Sequence, residues 1–480
     1  MFVTFFAIKM YSAYQYRIKG DSSMFYRNII DKLVSWKNSK NRKPLILRGA
    51  RQVGKTTAVL MFGEKHFSTT LKINLENISH RRLFDYPLSI EDFETIIRIH
   101  FHTSLSPKTL IFIDEIQHSK NLLQLLRFFK EERPEIPVIC AGSLLEAMIS
   151  KGGYQIPVGR VTYEYMYPLT FYEYLNAADK TEILGYLKNI HLDTVIPDSI
   201  HFLLLKEINQ YSLIGGMPEI VSEFCSSTDY QSLLSIYNSL LTGYVEDVFK
   251  YTNQSQSKYT QFVIEHAPYY AGERITYNKF SNSQYGSREI SASFDLVEKV
   301  MLLKRIRGTV STNLPIESRF KMPPKIIFLD VGLVNTSLGI NPIDFMNNND
   351  LNAFFNGKIA EQIVCQHLIS QRMSQQENIF YWAKPKHKGN AEVDFCFSYK
   401  GKIIGLEVKS GKSGTLKSLI EFSKIVSKPV LVRVYAGKMR IDRLASTQQY
   451  FLSIPFYLIP SIEVLLDEMI DFGTNQQKDR

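Results

Sequence analysis

PLILRGARQVGKTT, residues 44–57, is the stretch whose reading decides the fold of this chain. Leu45, Ile46 and Leu47 form a short unbroken apolar run, the pattern of a strand buried on both faces of a parallel sheet. From Gly49 to Thr56 the residues fit G-x-x-x-x-G-K-[ST] at every defined position. Gly49 and Gly54 let the backbone curl so that successive N–H groups point inward at a phosphate. Lys55 would reach the β- and γ-phosphates, and Thr56 would set its hydroxyl on Mg²⁺. Gln52, Val53 and Thr57 complete the expected binding set, with Thr57 opening a helix whose positive end adds to the anion site.

A second stretch answers the first. Thr109-Leu-Ile-Phe-Ile-Asp114-Glu115 is an apolar strand ending in two carboxylates. A buried parallel strand ending in Asp delivers that carboxylate to the carboxyl edge of the sheet, beside the phosphate loop. Asp114 would then hold Mg²⁺ through its water shell, and Glu115 would polarise an attacking water. The alternative is that the two acids only favour the first turn of a following helix.

Composition sets bounds. A chain of 480 residues with 45% hydrophobic content has room for about three domains with real cores. A net charge of +10 leans towards anionic partners, nucleic acid among them. Cys140, Cys225, Cys365 and Cys396 lie far apart with no CxxC pair, which argues against a disulfide framework or zinc site and for a reducing cytoplasm. No run of eighteen apolar residues is present, so no membrane span is expected. Residues 1–23, with only MFVTFFAI before Lys9 and no cleavage pattern, read as an extension ahead of a start at Met24.

Strands at Leu71–Leu75, Thr109–Asp114 and Ile136–Ser143 alternate with helices from Ser89 to Ile99 and from Asn121 to Arg133. This is a doubly wound α/β domain, assigned to residues 24–175. Ser143 ends its strand where a γ-phosphate sensor would sit, although Ser after Gly is also ordinary turn chemistry. Arg160 reads either as a phosphate-sensing arginine or as a brace for a hairpin. An aromatic strand, VTYEYMY, follows, and Thr170-x-x-Glu173 is a capping box.

Residues 176–325 read as helical, closing on a compact pattern. Helices are expected over Tyr259–Ala267 and Tyr277–Gln284, with a third from Ser287 carrying Ile290, Phe294, Val297 and Met301 inward. The basic strand Leu302-Leu-Lys304-Arg305-Ile-Arg307 comes next. Helix-turn-helix plus a basic wing is a DNA-binding layout, with Arg288 and Ser291 near the groove end. The same module can equally serve as a spacer or protein contact.

The last domain, residues 326–480, holds a second constellation. If Lys400-Gly401 is a two-residue hairpin loop, residues of Ala391–Phe397 and Ile403–Lys409 whose numbers sum to 801 face each other. Asp394 then lies opposite Glu407, and Glu392 opposite Lys409, on one face. Directly opposed carboxylates repel unless a cation sits between them, so Asp394 and Glu407 make a divalent-metal pair with Lys409 beside it. The plainer alternative is a solvated polar face with Lys409 as counter-ion.

GARQVGKT, LIFIDEIQ and AGS together resemble the AAA-type ATPase module of bacterial and archaeal ATP-binding proteins, joined there to a C-terminal domain of unknown function. GGMPEIV (215–221) and KIIFLDVGLVN (325–335) are similar to further signatures of that family. The C-terminal part also resembles the PD-(D/E)xK nuclease fold, which implies metal binding by Asp394 and Glu407, a role for Lys409, and Glu361 as the acid of its first helix. Taken together, these readings give ATP and Mg²⁺ as the expected ligands, Lys55, Glu115 and Arg160 as the expected catalytic groups, and a nucleotide state that controls a winged-helix and nuclease-like half acting on DNA. The rival expectation is a nucleotide-gated DNA- or protein-binding regulator that cuts nothing.

Overall fold

The computed structural model describes residues 25–143, 145, 157, 159–227, 230–250, 252, 254–340, 357–372, 378–384, 390–411 and 415–478. The expected extension, residues 1–23, and its boundary at Met24 lie outside the described residues. The chain divides into a first unit up to Pro168 and a second from Leu169.

The first unit runs α1 (Ile29–Lys37), β1 (Leu45–Arg48), α2 (Lys55–His66), β2 (Thr69–Asn74), α3 (Ile90–His100), β3 (Thr109–Asp114), α4 (Lys120–Glu132), β4 (Val138–Gly142) and β5 (Thr162–Tyr165). Its sheet has the order β2-β3-β4-β1-β5, with every pair parallel. β1 is flanked on both sides, which is why Leu45, Ile46 and Leu47 are all fully buried. Parallel strands need crossovers, and the helices supply them with apolar faces such as Leu122, Leu123, Leu126 and Phe129 of α4. Ser89 opens α3 with a reciprocal capping box to Asp92.

The Thr170–Glu173 capping box opens α5 (Phe171–Ala177), which belongs to the second unit because Phe171 and Tyr174 pack on Tyr211 there. The unit continues through α6 (Asp198–Ile214), α7 (Pro218–Ser226), α8 (Tyr230–Phe249), α9 (Gln254–His266), α10 (Ser287–Lys299) and α11 (Val331–Ser337). Two details differ from the helix-turn-helix expectation. Over Tyr277–Gln284 only a three-residue 3₁₀ turn forms, at Phe280–Asn282, because Lys279, Ser281 and Asn282 adopt positive φ. Ser and Asn favour such turns by bonding to nearby backbone groups. Met301 lies beyond the end of α10 at φ 62°, so Ile290, Phe294 and Val297 fill the core without it.

The basic strand is not a free wing. β6 (Leu303–Thr309) pairs antiparallel with β7 (Lys325–Phe328) and parallel with β8 (Phe380–Ala383), joining the same sheet as the expected nuclease-like part. That sheet also holds β9 (Glu392–Tyr399), β10 (Lys402–Val408), β11 (Val430–Tyr435), β12 (Arg440–Arg443) and β13 (Tyr450–Pro455), in the order β12-β13-β11-β10-β9-β8-β6-β7. β7 lies at its edge yet is fully buried. The edge is closed by α12 (Gly357–Arg372), where the Gln362 amide accepts from Phe328 N–H at 2.8 Å and donates to Phe328 C=O at 2.9 Å. One side chain thus replaces a strand partner.

The two signatures left without chemistry in the sequence meet in this unit. Asp330 is fully buried and accepts from Gly216 N–H at 2.7 Å and Gly332 N–H at 2.9 Å. Asn335 donates to Ser212 and Leu213 carbonyls at the end of α6. Gly216 has to be glycine, since a Cβ there would run into the Leu169 backbone. GGMP and DVGL are therefore the two halves of one structural joint.

His367, on α12, is buried with Nε2 accepting from Phe171 N–H at 3.0 Å and Nδ1 on the Ile363 carbonyl at 2.8 Å. Burial pulls its pKa down to about 4. The folded ring binds a proton later than the unfolded one, so stability is full above the unfolded pKa and is lost as pH falls from about 6.5 towards 4. The expected loss is about 3 kcal/mol over that window. Melting temperatures measured against pH should show it, and His367→Gln should flatten it.

Candidate nucleotide site and a buried carboxylate cluster

The phosphate loop leaves β1 at the carboxyl edge of the first sheet. Gly49 is packed so closely on the Met166 backbone that a Cβ would clash, and Gly54 takes φ 93° at the start of α2. Both glycines are thus demanded by geometry. Val53 is buried, whereas Gln52 (φ 60°) and Thr57 are exposed. The Lys55 ammonium is buried inside the loop and donates to Gly49 O at 2.9 Å and Ala50 O at 2.7 Å. A cation is therefore already desolvated against the loop's own backbone carbonyls.

β3 brings the acids. Thr56 Oγ1 donates to Asp114 Oδ2 at 2.9 Å, and Lys72 Nζ, from β2, lies 3.3 Å from the same oxygen. Burial pushes the Asp114 carboxyl up, offset by the Thr56 hydroxyl and Lys72. Asp114 Oδ1 is buried with no hydrogen-bond partner. A hydroxyl, a carboxylate and an orphaned carboxylate oxygen make a hard-oxygen set, which fits Mg²⁺. Glu115 takes a left-handed conformation (φ 55°, ψ 47°), a strained backbone for a non-glycine residue. Its Oε2 accepts from Gln117 Nε2 and, at 3.4 Å, from Ser143 Oγ. Ser143 thus stands beside Glu115 at the end of β4.

Arg160 is elsewhere. It precedes β5, whose first residue pairs with Leu45, so it sits at the amino edge of the sheet, opposite the loop. Its Nε donates to Glu131 Oε1 at 2.8 Å on α4. It braces a helix and not a hairpin, since β5 pairs in parallel with β1, and it lies away from this chain's own loop. Three residues escaped the sequence reading: Lys72, Gln117 and Arg27. Arg27 is buried and donates to Val53 O at 2.7 Å and to Tyr167 O. Gln117 was visible in the DEIQ stretch; Lys72 and Arg27 carry no local signal.

The hairpin pairs as the arithmetic requires, from Lys402↔Tyr399 to Leu406↔Phe395. Asp394 and Glu407 come together, with Asp394 Oδ2 accepting from Val408 N–H at 2.8 Å and Lys409 Nζ 2.6 Å from Glu407. Glu361, on α12, joins them. Burial first, then the Asp394 charge, pushes Glu361 up to about 7 and Glu407 up to about 8. A further cation is already inside the cluster. Lys325 Nζ is paired with Glu361 and lies 3.8 Å from both Glu392 and Asp394. Among the described residues no group of three or more His, Cys, Asp or Glu is spaced to hold a metal ion. As they stand, Glu361, Asp394 and Glu407 do not fit a divalent ion.

Comparison with known proteins agrees with the first unit's chemistry. Residues 41–175 match the family model described as an AAA domain. The matched stretch contains the phosphate loop, Asp114, Glu115 and Ser143. Residues 205–344 and 356–457 match two models described only as domains of unknown function. No curated protein matches the chain. Among solved structures, the Thermotoga maritima RuvB Holliday junction branch migration motor is 14% identical, covers 58% of this chain and 90% of its own, and has a TM-score of 0.28. The Aeropyrum pernix ORC1 protein in complex with DNA is 13% identical over 66% of this chain and 91% of its own, at 0.29. PCH-2 of C. elegans is 12% identical over 45% and 64%, at 0.27. At such scores these likenesses carry no argument; the sheet order and the loop do. Among the described residues no helix is long and apolar enough to cross a membrane.

Arg27 offers a direct check of how the loop is held. Arg27→Ala leaves the buried Val53 and Tyr167 carbonyls without this donor, a cost of about 1–3 kcal/mol. Thermal unfolding of the variant should show a lower melting temperature, and saturating ATP with Mg²⁺ should recover part of it.

Proposed function

We propose that this chain binds and hydrolyses ATP with Mg²⁺. The observation that carries the reading is the Thr56–Asp114 hydrogen bond, which sets the two oxygen ligands against each other beside the buried Lys55 ammonium. Lys55 offsets charge on the β- and γ-phosphates, and the loop N–H groups orient them. Mg²⁺, when bound, supplies charge that polarises the phosphoryl oxygens; Thr56 and Asp114 are the residues that hold it. Glu115 accepts the proton of the attacking water, with Gln117 and Ser143 fixing its carboxylate.

The nucleotide state is proposed to govern what the rest of the chain binds, with nucleic acid as the partner. The +10 net charge supports this. Arg305 does not, because it is buried in pairs with Asp295 and Glu298. Arg288 is exposed and Lys304 and Arg307 are half-buried, so these three are the residues to test. A regulator that binds without cutting is the second reading, and the Lys325 ammonium among the C-terminal carboxylates favours it over cleavage.

Lys55→Ala should weaken ATP binding about a hundredfold, because a charge-assisted interaction with the phosphates is removed. Glu115→Gln should keep binding and lower turnover by about 10²-fold or more. Calorimetry and phosphate release separate the two; normal turnover in the Glu115 variant removes its assigned role. For the partner, duplex DNA binding followed by anisotropy should weaken steeply with salt. Replacing Arg288, Lys304 and Arg307 together should reduce the slope by about 1 for each phosphate that is no longer neutralised. An unchanged slope leaves this surface a spacer.

A further inference from the structure

We propose that Lys325 is the resident cation of the C-terminal carboxylate cluster and stands where a divalent metal ion would otherwise bind. Lys325 is the first residue of β7 and is 2% exposed. Its backbone is fixed by pairing with Ile306 on β6 and by a bridge to Arg274. Its ammonium is paired with Glu361 and lies 3.8 Å from both Glu392 and Asp394, with the Phe395 ring 5.2 Å away. A buried ammonium is tolerated only where carboxylates surround it. Three do here, reaching in from α12 and β9.

Two further cations lie at the edge of the cluster. Arg274 lies 3.0 Å from Glu392, and Lys409 lies 2.6 Å from Glu407. Four carboxylates therefore meet three basic side chains drawn from the folded chain itself. A divalent ion needs several carboxylate oxygens at about 2.0–2.6 Å. To reach them it would have to displace the Lys325 ammonium or lie against it, and like charges at such range repel strongly in a dry interior. The Lys325 side chain is 3% exposed and its strand is bridged at that residue by Arg274, so the ammonium is held among the carboxylates. The cluster then acts as a brace tying β7 and α12 to β9 and β10, and the hairpin face performs no metal-dependent cleavage. Lys409 occupies Glu407 Oε1, and Glu407 Oε2 is buried without a hydrogen-bond partner.

The test counts bound Mn²⁺ by electron paramagnetic resonance on the full chain without nucleotide. Every sample carries Asp114→Asn to silence the first unit. With Lys325 present, millimolar Mn²⁺ should leave no tightly bound ion and should not raise the melting temperature, in this protein or in its Asp394→Ala variant. Lys325→Gln should gain about one equivalent of Mn²⁺ and a metal-dependent rise in melting temperature. Two results overturn the proposal: one bound equivalent with Lys325 in place that Asp394→Ala removes, or a folded Lys325→Gln that binds none. Should Lys325→Gln not fold, the comparison of the Lys325-containing protein with Asp394→Ala decides alone.

Discussion

The first unit depends on one constraint: a phosphate loop must leave a strand that the rest of the sheet holds still. β1 achieves this by lying between β4 and β5 with Leu45, Ile46 and Leu47 wholly buried, so the loop starts from a fixed point at the carboxyl edge. The other features of the site follow from sharing that edge. β3 ends there in Asp114 and Glu115, β4 ends there in Ser143, and Arg27 ties the loop's own carbonyl to Tyr167. Arg160, at the amino edge of the same sheet, is excluded by the same geometry.

The second unit is organised by buried charge. Asp330 draws the GGMP and DVGL segments together through backbone N–H groups, and Lys325 draws β7, α12 and β9 together through carboxylates. Breaking such buried pairs by removing one partner leaves the other uncompensated, and this is costly by about 3–5 kcal/mol. The same arrangement explains how two opposed carboxylates, Asp394 and Glu407, persist side by side. Lys325 and Lys409 offset part of the repulsion expected between them, and the rest shows in the upward shifts of Glu361 and Glu407.

What the sequence revealed followed from short-range rules. The apolar runs at 45–47 and 109–113 and the G-x-x-x-x-G-K-T spacing placed the loop and its acids, because strand period and glycine geometry act locally. The hairpin register from Lys402↔Tyr399 onward was equally readable, since a two-residue turn fixes it. The missing information was non-local. Lys325 and Arg27 reach their partners only through tertiary folding, and β6 looked like a wing because its partner β8 lies far along the chain. The second helix of the expected helix-turn-helix failed where Ser and Asn turned the backbone to positive φ.

The central claim is that the chain's divalent-metal chemistry resides at Thr56 and Asp114 and not at Asp394 and Glu407. Anomalous scattering from crystals grown with a non-hydrolysable ATP analogue and Mn²⁺ reads both places at once. The account predicts a manganese peak between the Thr56 hydroxyl and Asp114 beside the analogue's phosphates, and none at the carboxylate cluster, where the Lys325 ammonium remains. A manganese peak between Asp394 and Glu407, or an analogue bound away from the Gly49–Thr56 loop, would contradict it.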